Sequence, residues 1–125
     1  MEKLHIEETK YTPEIILQTT GELSIKGKSY PENTFEFYKP AMKWLESYFE
    51  TGLTNTTLLS MEIIYFNSSS SKLFFDLFDL LEEASENHTI EIKWIYDPEN
   101  ESALEAGEDF IEDFEELKIT LVEKA

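Results

Sequence analysis

The chain of 125 residues contains no cysteine and only four glycines. Without cysteine there are no disulfides, no thiolate nucleophile and no cysteine-bound metal. The glycines stand alone at positions 21, 27, 52 and 107, so neither a Walker loop nor a dinucleotide-binding fingerprint is present. We therefore expect no cofactor, and a cofactor-dependent enzyme is poorly supported.

Positive charge is also scarce, because ten basic side chains accompany 27 acidic ones and the formal net charge is −17. A field of this sign repels nucleic-acid phosphates and anionic lipids, so we expect neither nucleic acid nor membrane as a partner. No apolar run approaches the roughly 18 to 20 residues of a membrane span. The first ten residues lack the basic and apolar segments of a signal peptide. These features predict a cytoplasmic protein.

The sequence does contain enough apolar material for a core, with 41% hydrophobic and 14% aromatic residues. That is more than disordered chains carry, and at this length we expect a single domain over residues 1–125. The spacing of apolar residues predicts the element order ββαβαβαβ. The predicted strands cover residues 11–17, 22–27, 56–66, 89–96 and 117–122, and the predicted helices cover 34–50, 70–85 and 101–113.

Helices that alternate with strands require crossover connections, so we predict a small α/β domain with a mixed, mostly parallel sheet of about five strands. Several strands alternate apolar with polar residues, which places the helices mainly on one face. In the third strand, Tyr65 is predicted to share the inner face and Phe66 the outer one. Pro40 lies inside the first helical pattern and predicts a start near Lys39 or a kink there. Gly52 is predicted to end that helix.

Two chemical interpretations are weak. The only histidines are His5 and His88 and no Gly-x-Ser-x-Gly motif occurs, so a serine-dependent hydrolase is a poorly supported alternative. Carboxylates alternate from Asp97 to Glu101 as at the start of a calcium loop, but Ser102 occupies the position of the required turn glycine. We predict no metal site here, only a solvated loop and an acidic first helical turn.

Between the third strand and the second helix, residues 66–72 read FNSSSSK. One of Ser68, Ser69 and Ser70 is predicted to cap the helix, because a hydroxyl at that position accepts a hydrogen bond from a nearby backbone N–H. The same end of a helix favours an anion, so a phosphoryl group on one of these serines would be stabilised there. Lys72, on the first turn, would add a charge-assisted contact.

The second helix carries an apolar stripe that is most simply assigned to the core, formed by Leu73, Phe74, Leu77, Phe78, Leu81 and Ala84. Phe75 and Leu80 lie at the flanks of this stripe and widen the apolar arc. Part of the arc is a candidate docking surface beside the serines. The candidate partner-binding residues are Asn67, Ser69, Ser70, Ser71, Lys72 and Phe75.

Five segments together resemble the SiaC family of bacterial regulatory phosphoproteins, namely SYPEN (29–33), WLESYF (44–49), IIYFNSSSSK (63–72), LLEEA (80–84) and WIYDPENESALEAGED (94–109). The resemblance implies that the hydroxyl residue directly after Asn67, here Ser68, accepts a phosphoryl group from a dedicated protein kinase. It also implies that a PP2C-type phosphatase removes this group. The unphosphorylated form would bind and activate a diguanylate cyclase, so phosphorylation would lower cyclic di-GMP output. Ser69 and Ser70 stay open as neighbouring acceptors.

The arrangement is also similar, at the level of the fold, to the anti-sigma-factor antagonists of the STAS type, small α/β domains with a phosphorylatable serine at a strand-to-helix junction. The resulting prediction is a non-enzymatic signalling protein that changes partners when Ser68 is modified. The alternatives are a constitutive adaptor, whose binding ignores phosphorylation, and the hydrolase considered above.

Overall fold

A computed structural model describes residues 1–51 and 56–124. In this part of the chain the element order is βββαβαβαβ. The strands are β1 (Leu4–Ile6), β2 (Glu14–Leu17), β3 (Glu22–Ser29), β4 (Thr57–Phe66), β5 (Ile90–Tyr96) and β6 (Lys118–Glu123). The helices are α1 (Thr34–Glu50), α2 (Ser68–Ala84) and α3 (Glu101–Asp113). The predicted helix end at Gly52 lies outside the described residues.

The six strands form one sheet in sequence order, antiparallel from β1 to β3 and parallel from β3 to β6. Each parallel step contains one helix, and right-handed crossovers that always step in the same direction place their helices on one face. The burial pattern agrees, because buried and more exposed residues alternate along β3, β4 and β5. The predicted one-sided, mostly parallel α/β domain is confirmed, but the sheet has six strands rather than five.

The strand that the sequence did not predict is β1, which has only three residues. Leu4 pairs with Leu17 and Ile6 with Ile15 across β2, so β1 is an edge strand held by its neighbour. The indole N–H of Trp44 donates to the backbone carbonyl of Glu2 at 2.7 Å and ties this segment to α1. Three residues carry too little alternation to be recognised as a strand, and contacts distant in sequence stabilise it instead.

The first helix starts earlier than Pro40 led us to expect. It begins at Thr34 and continues through Pro40, so the predicted start near Lys39 is wrong. Asn33 caps the first turn by accepting the backbone N–H of Glu36 at 3.1 Å. Pro40 has no backbone N–H, so one hydrogen bond to the first turn of the helix is missing. The Asn33 cap and the packing of α1 on the sheet stabilise the first turn despite this loss.

The core lies between the sheet and the three helices. The apolar stripe predicted for α2 is confirmed, since its first five residues are buried and Ala84 is half-buried. Aromatic rings fill the space between α2, α3 and β5, where Phe110 lies 4.8 Å from Phe78 and 5.4 Å from Trp94 between ring centres. None of the helices in the described ranges combines the length and the apolar character needed to cross a bilayer.

A β-bulge interrupts the pairing of β4 with β3 close to the carboxyl end of both strands. Gly27 pairs with Ile63, but the next residue of β3, Lys28, pairs with Tyr65. Ile64 is therefore an extra residue on β4. A bulge of this kind shifts the alternation of side chains by one position for the rest of the strand.

The bulge reverses the faces predicted for the last two residues of β4. Ile64 and Tyr65 are both about half exposed, whereas Phe66 turns towards the helices. The ring of Phe66 lies 5.4 Å from that of Phe74 and 6.3 Å from that of Trp94. The predicted inner Tyr65 and outer Phe66 are thus wrong, because strict alternation ends at the bulge. Phe66 anchors the chain to the core directly before Asn67.

Candidate functional site

The carboxyl ends of the parallel strands β3, β4 and β5 lie at the same end of the sheet, and all three helices begin there. Each helix is capped by an asparagine whose side-chain oxygen accepts the backbone N–H three residues ahead, at 3.1 Å for Asn33, 2.9 Å for Asn67 and 3.1 Å for Asn100. In open α/β sheets, ligands usually bind outside the carboxyl ends of the strands. The positive ends of the three helix dipoles also lie at this end of the sheet.

Asn67, and not a serine, caps the second helix. Its side-chain oxygen accepts the backbone N–H of Ser70, and its backbone N–H donates to the carbonyl of Ser29 at 3.1 Å. The predicted serine cap is wrong because α2 begins at Ser68, two residues earlier than expected, and asparagine is an equally strong cap. As a result, all four serines lie on the first turn of the helix.

The four serines have different environments, because successive helical residues point about 100° apart. Ser68 and Ser69 are exposed, Ser71 is half-buried, and Ser70 has no exposed surface. A protein kinase requires a hydroxyl that it can reach. Of the three candidate phosphate acceptors, Ser68 and Ser69 are therefore favoured by their exposure over the buried Ser70.

The hydroxyl of Ser70 belongs to a buried chain of hydrogen bonds. It donates to the carbonyl of Ser29 at 2.9 Å and lies 2.7 Å from the Ser29 hydroxyl, which in turn lies 2.6 Å from the hydroxyl of Tyr38. Burial raises the pKa of Tyr38 well above its ordinary range, and the hydrogen bond with Ser29 opposes this only in part. The sequence analysis did not identify Ser29 and Tyr38 as part of this site. Ser29 lies 41 residues before Ser70, and no local sequence pattern relates residues so far apart.

Ser68, Lys72 and Phe75 lie on one exposed stripe of α2. They follow the spacing i, i+4 and i+7, which brings residues to one side of a helix, and all three are exposed. Phe75 also packs against α3, with its ring 5.7 Å from Phe110 and 5.3 Å from Phe114. The structure thus places three of the sequence-predicted site residues together, on a surface that extends from the serine turn towards α3.

A groove between α1 and α2 opens beside Ser69. Its first part has a volume of about 360 Å³ and its continuation about 250 Å³, and both parts are lined by Phe35, Leu73 and Asp76. Phe35 is 67% exposed, which is unusual for a large apolar side chain. Three of the ten basic residues of the chain border the groove, namely Lys39, Lys43 and Lys72. Three carboxylates also line it, namely Glu32, Glu46 and Asp76, so the groove combines apolar side chains with charges of both signs.

The histidines are placed away from the serine turn. The ring of His5, on β1, lies 3.5 Å from the carboxylate of Glu14. His88 precedes β5 and lies beside Phe49, at the end of the sheet opposite to the serine turn. Within residues 1–51 and 56–124, no hydrogen bond joins either histidine to Ser68. A serine-dependent hydrolase would require such a base next to its nucleophile.

The acidic loop before α3 has a structural use. A side-chain oxygen of Asp97 accepts the backbone N–H of Glu99 at 2.9 Å, and Asn100 then caps the helix. Across the described part of the chain, no three histidine, aspartate or glutamate side chains are grouped so that they would hold a metal ion.

Comparison with known proteins identifies the family. The sequence profile of the SiaC family regulatory phosphoproteins matches residues 6–124. An uncharacterized protein of Pseudomonas aeruginosa strain UCBPP-PA14 is 38% identical over 115 residues, which cover 90% of each chain. The structure of SiaC of Pseudomonas aeruginosa superposes with a TM-score of 0.90 at 33% identity, covering 99% of this chain and 100% of that one.

A second solved structure extends this comparison to a complex. In the crystal structure of the diguanylate cyclase SiaD with its activator SiaC, also from Pseudomonas aeruginosa, the matching chain has a TM-score of 0.90 and 34% identity. The match covers 97% of this chain and 99% of that one. The resemblance found in the sequence motifs is confirmed: this chain belongs to the SiaC family of regulatory phosphoproteins.

Proposed function

We propose that this chain is a cytoplasmic, non-enzymatic regulator that binds and activates a diguanylate cyclase, and that phosphorylation of Ser68 ends this interaction. The observation that carries the proposal is the position of Ser68, exposed on the first turn of α2 directly after Asn67. That is the acceptor position implied by the family motif. The similarity to SiaC, an activator crystallised with its cyclase, supports the identity of the partner.

Phosphorylation would act at this position through local charge. A phosphoryl group adds about −1.5 to −2 charges, and the N-terminal end of α2 together with Lys72, one turn on, would stabilise them in the free protein. In a complex the same group would be buried without a matched partner, which costs several kcal/mol. The affinity therefore falls without refolding of the domain.

The surface around Ser68 fits a partner segment with an apolar anchor and an acidic group placed against Lys72. The exposed ring of Phe35 and the half-exposed ring of Phe75 supply apolar contacts near the serine turn, and Lys72 lies one helical turn from Ser68. A negative group on Ser68 would then repel the acidic group of such a segment. Because a kinase must reach the same hydroxyl in the unphosphorylated protein, we expect it to compete with the cyclase. A PP2C-type phosphatase would act on the phosphorylated form that the cyclase does not bind.

Binding measurements with purified proteins test the switch. Wild type, Ser68→Ala, Ser68→Asp and the neighbouring control Ser69→Ala are titrated against the cognate diguanylate cyclase by calorimetry, and cyclic di-GMP synthesis is assayed in parallel. We expect Ser68→Ala and Ser69→Ala to bind and activate like wild type. Ser68→Asp should bind about tenfold or more weakly, equivalent to about 1.4 kcal/mol.

The other outcomes identify the alternatives. Equal affinity of Ser68→Ala, Ser68→Asp and the phosphorylated wild type would indicate a constitutive adaptor and contradict the proposal. A turnover that needs no partner protein and is lost in Ser68→Ala would indicate an enzyme. Phosphosite mapping by mass spectrometry on protein from native lysate completes the test. A failure to find phosphate on residues 68–71 under any growth condition would overturn the phosphorylation switch.

A further inference from the structure

We propose that Tyr38 and Ser29 exclude Ser70 from phosphorylation, because they hold it in a buried hydrogen-bond chain and so leave the exposed Ser68 and Ser69 as the accessible acceptors. The inference rests on the proposed function, since it concerns the specificity of the same modification. Its physical part, a clamp on the first turn of α2, is a property of the fold and is measured without a kinase.

The hydroxyls of Ser29, Tyr38 and Ser70 have one proton each, and this determines which group donates in each hydrogen bond. Ser70 donates to the carbonyl oxygen of Ser29, which can only accept. The contact between the two serine hydroxyls then requires the proton of Ser29, and the contact between Ser29 and Tyr38 requires the proton of Tyr38. Tyr38 supplies it because a phenol is protonated at neutral pH, and burial raises its pKa further. In this arrangement every contact has one donor and one acceptor.

Ser29 is the centre of this clamp. Its carbonyl accepts both the Ser70 hydroxyl and the backbone N–H of Asn67, while its hydroxyl links Ser70 to Tyr38. These hydrogen bonds join the end of β3 to the start of α2 and to the second turn of α1. All three side chains are buried, and hydrogen bonds are stronger there than at the surface. Ser70 lies about 200° around the helix from Ser68, so holding Ser70 inwards keeps Ser68 outwards.

Phosphorylation of Ser70 would require the clamp to open first. The rate of modification at Ser70 should therefore be proportional to the open population, whereas Ser68 is accessible in the closed state. Loss of a buried hydrogen bond raises such an opening equilibrium by roughly 5- to 30-fold. The ratio of phosphate on Ser70 to phosphate on Ser68 should rise by the same factor.

The helix α1 offers a matched control. The hydroxyl of Tyr48, ten residues beyond Tyr38, makes a buried hydrogen bond of 2.9 Å to the hydroxyl of Thr57, far from the serine turn. Tyr48→Phe and Tyr38→Phe each remove one phenolic hydroxyl with one buried hydroxyl partner. A role that is only structural predicts the same behaviour at the serine turn for both variants.

The first measurement is amide hydrogen exchange at Ser70 and Ser71 by NMR, with global stability from urea unfolding. We expect roughly 5- to 30-fold faster exchange in Tyr38→Phe and a larger increase in Ser29→Ala, which removes two of the contacts. Tyr48→Phe should leave these two amides unchanged. Equal exchange in the two tyrosine variants would overturn the clamp.

The second measurement is the distribution of phosphate over residues 68–71 after treatment with the cognate kinase, read by fragment mass spectrometry. Tyr38→Phe and Ser29→Ala should raise the proportion on Ser70, and Tyr48→Phe should not. An unchanged distribution in all variants would overturn the specificity role. A wild type that accepts no phosphate at all would contradict the proposed function and the specificity role together, while the exchange data still decide the clamp.

Discussion

The side-chain amide of Asn100 donates a hydrogen bond to the carbonyl oxygen of Ile64 at 3.0 Å. It joins the cap of α3 to the residue that forms the bulge in β4, 36 positions earlier in the chain. The same side chain accepts the backbone N–H of Ala103 at 3.1 Å. Asn100 thus stabilises both a helix terminus and the strand segment that leads to the serine turn.

This double role predicts that Asn100→Ala is more destabilising than the loss of a simple cap. Asn33→Ala is the matched variant, because Asn33 caps α1 by the same geometry and is exposed. A lost cap costs about 1 kcal/mol, and a lost hydrogen bond adds about 0.5 to 1.5 kcal/mol for Asn100. Urea unfolding measures both. Equal losses would mean that the contact with Ile64 contributes nothing to stability.

The start of α2 should tolerate negative charge in the isolated protein. Ser68 is the first residue of the helix, so Ser68→Asp should raise the free energy of unfolding by about 0.3 to 1 kcal/mol relative to the neutral Ser68→Asn. The difference should shrink at 1 M salt, where the screening length is only about 3 Å. A less stable Ser68→Asp would contradict the view that phosphorylation leaves the fold intact.

Gly107 should not tolerate a methyl group, although it lies in the middle of α3. Replacement of a helical glycine by alanine ordinarily stabilises by about 0.5 to 1 kcal/mol. Here a Cβ atom would lie 2.5 Å from Cδ1 of Trp94 and 2.7 Å from Cδ2 of Leu121. Trp94 is fully buried and its indole N–H donates to the carbonyl of Ala103, so it cannot move aside easily.

Overpacking of this kind costs about 1 to 3 kcal/mol, so we expect Gly107→Ala to be destabilising overall. Glu105→Ala, at an exposed position of the same helix, is the control and should change stability little. Chemical unfolding followed by tryptophan fluorescence measures both variants. A gain in stability for Gly107→Ala would show that helix propensity outweighs the contact with Trp94.

Lys118 should lower the pKa of Glu91. The two side chains lie 2.5 Å apart between Nζ and Oε1, and this hydrogen bond is the main reason that the pKa of Glu91 is lowered, with Lys93 contributing least. Because the pKa is lower in the folded chain than in the unfolded chain, the pair stabilises at neutral pH. That contribution is lost as the pH falls through the folded-state pKa of Glu91.

Carbon-13 NMR titration of the Glu91 carboxyl group measures this effect directly. Lys118→Gln should return the pKa towards its ordinary value, whereas Lys93→Gln should raise it less. The change in stability should be small and salt-sensitive, since both side chains face solvent. An unchanged pKa in Lys118→Gln would show that the ion pair does not persist in solution.

Much of this architecture could be predicted from local patterns. Helix α3 has the predicted bounds, and the apolar pattern of residues 34–50 coincides with α1, because helical periodicity is encoded within each element. The position of FNSSSSK at a strand-to-helix junction followed from its neighbours in the same way. The family resemblance then indicated Ser68 among four similar serines.

Other features depend on contacts between residues distant in sequence, and only the tertiary structure decided them. The bulge at Ile64 appears when β4 is paired with β3, and it reverses Tyr65 and Phe66. Ser70 is buried because Ser29, 41 positions earlier, lies beside it at the end of β3. Composition and spacing thus determined a one-sided α/β domain with a serine turn, whereas strand register and long-range hydrogen bonds determined which serine hydroxyl is buried and which face solvent.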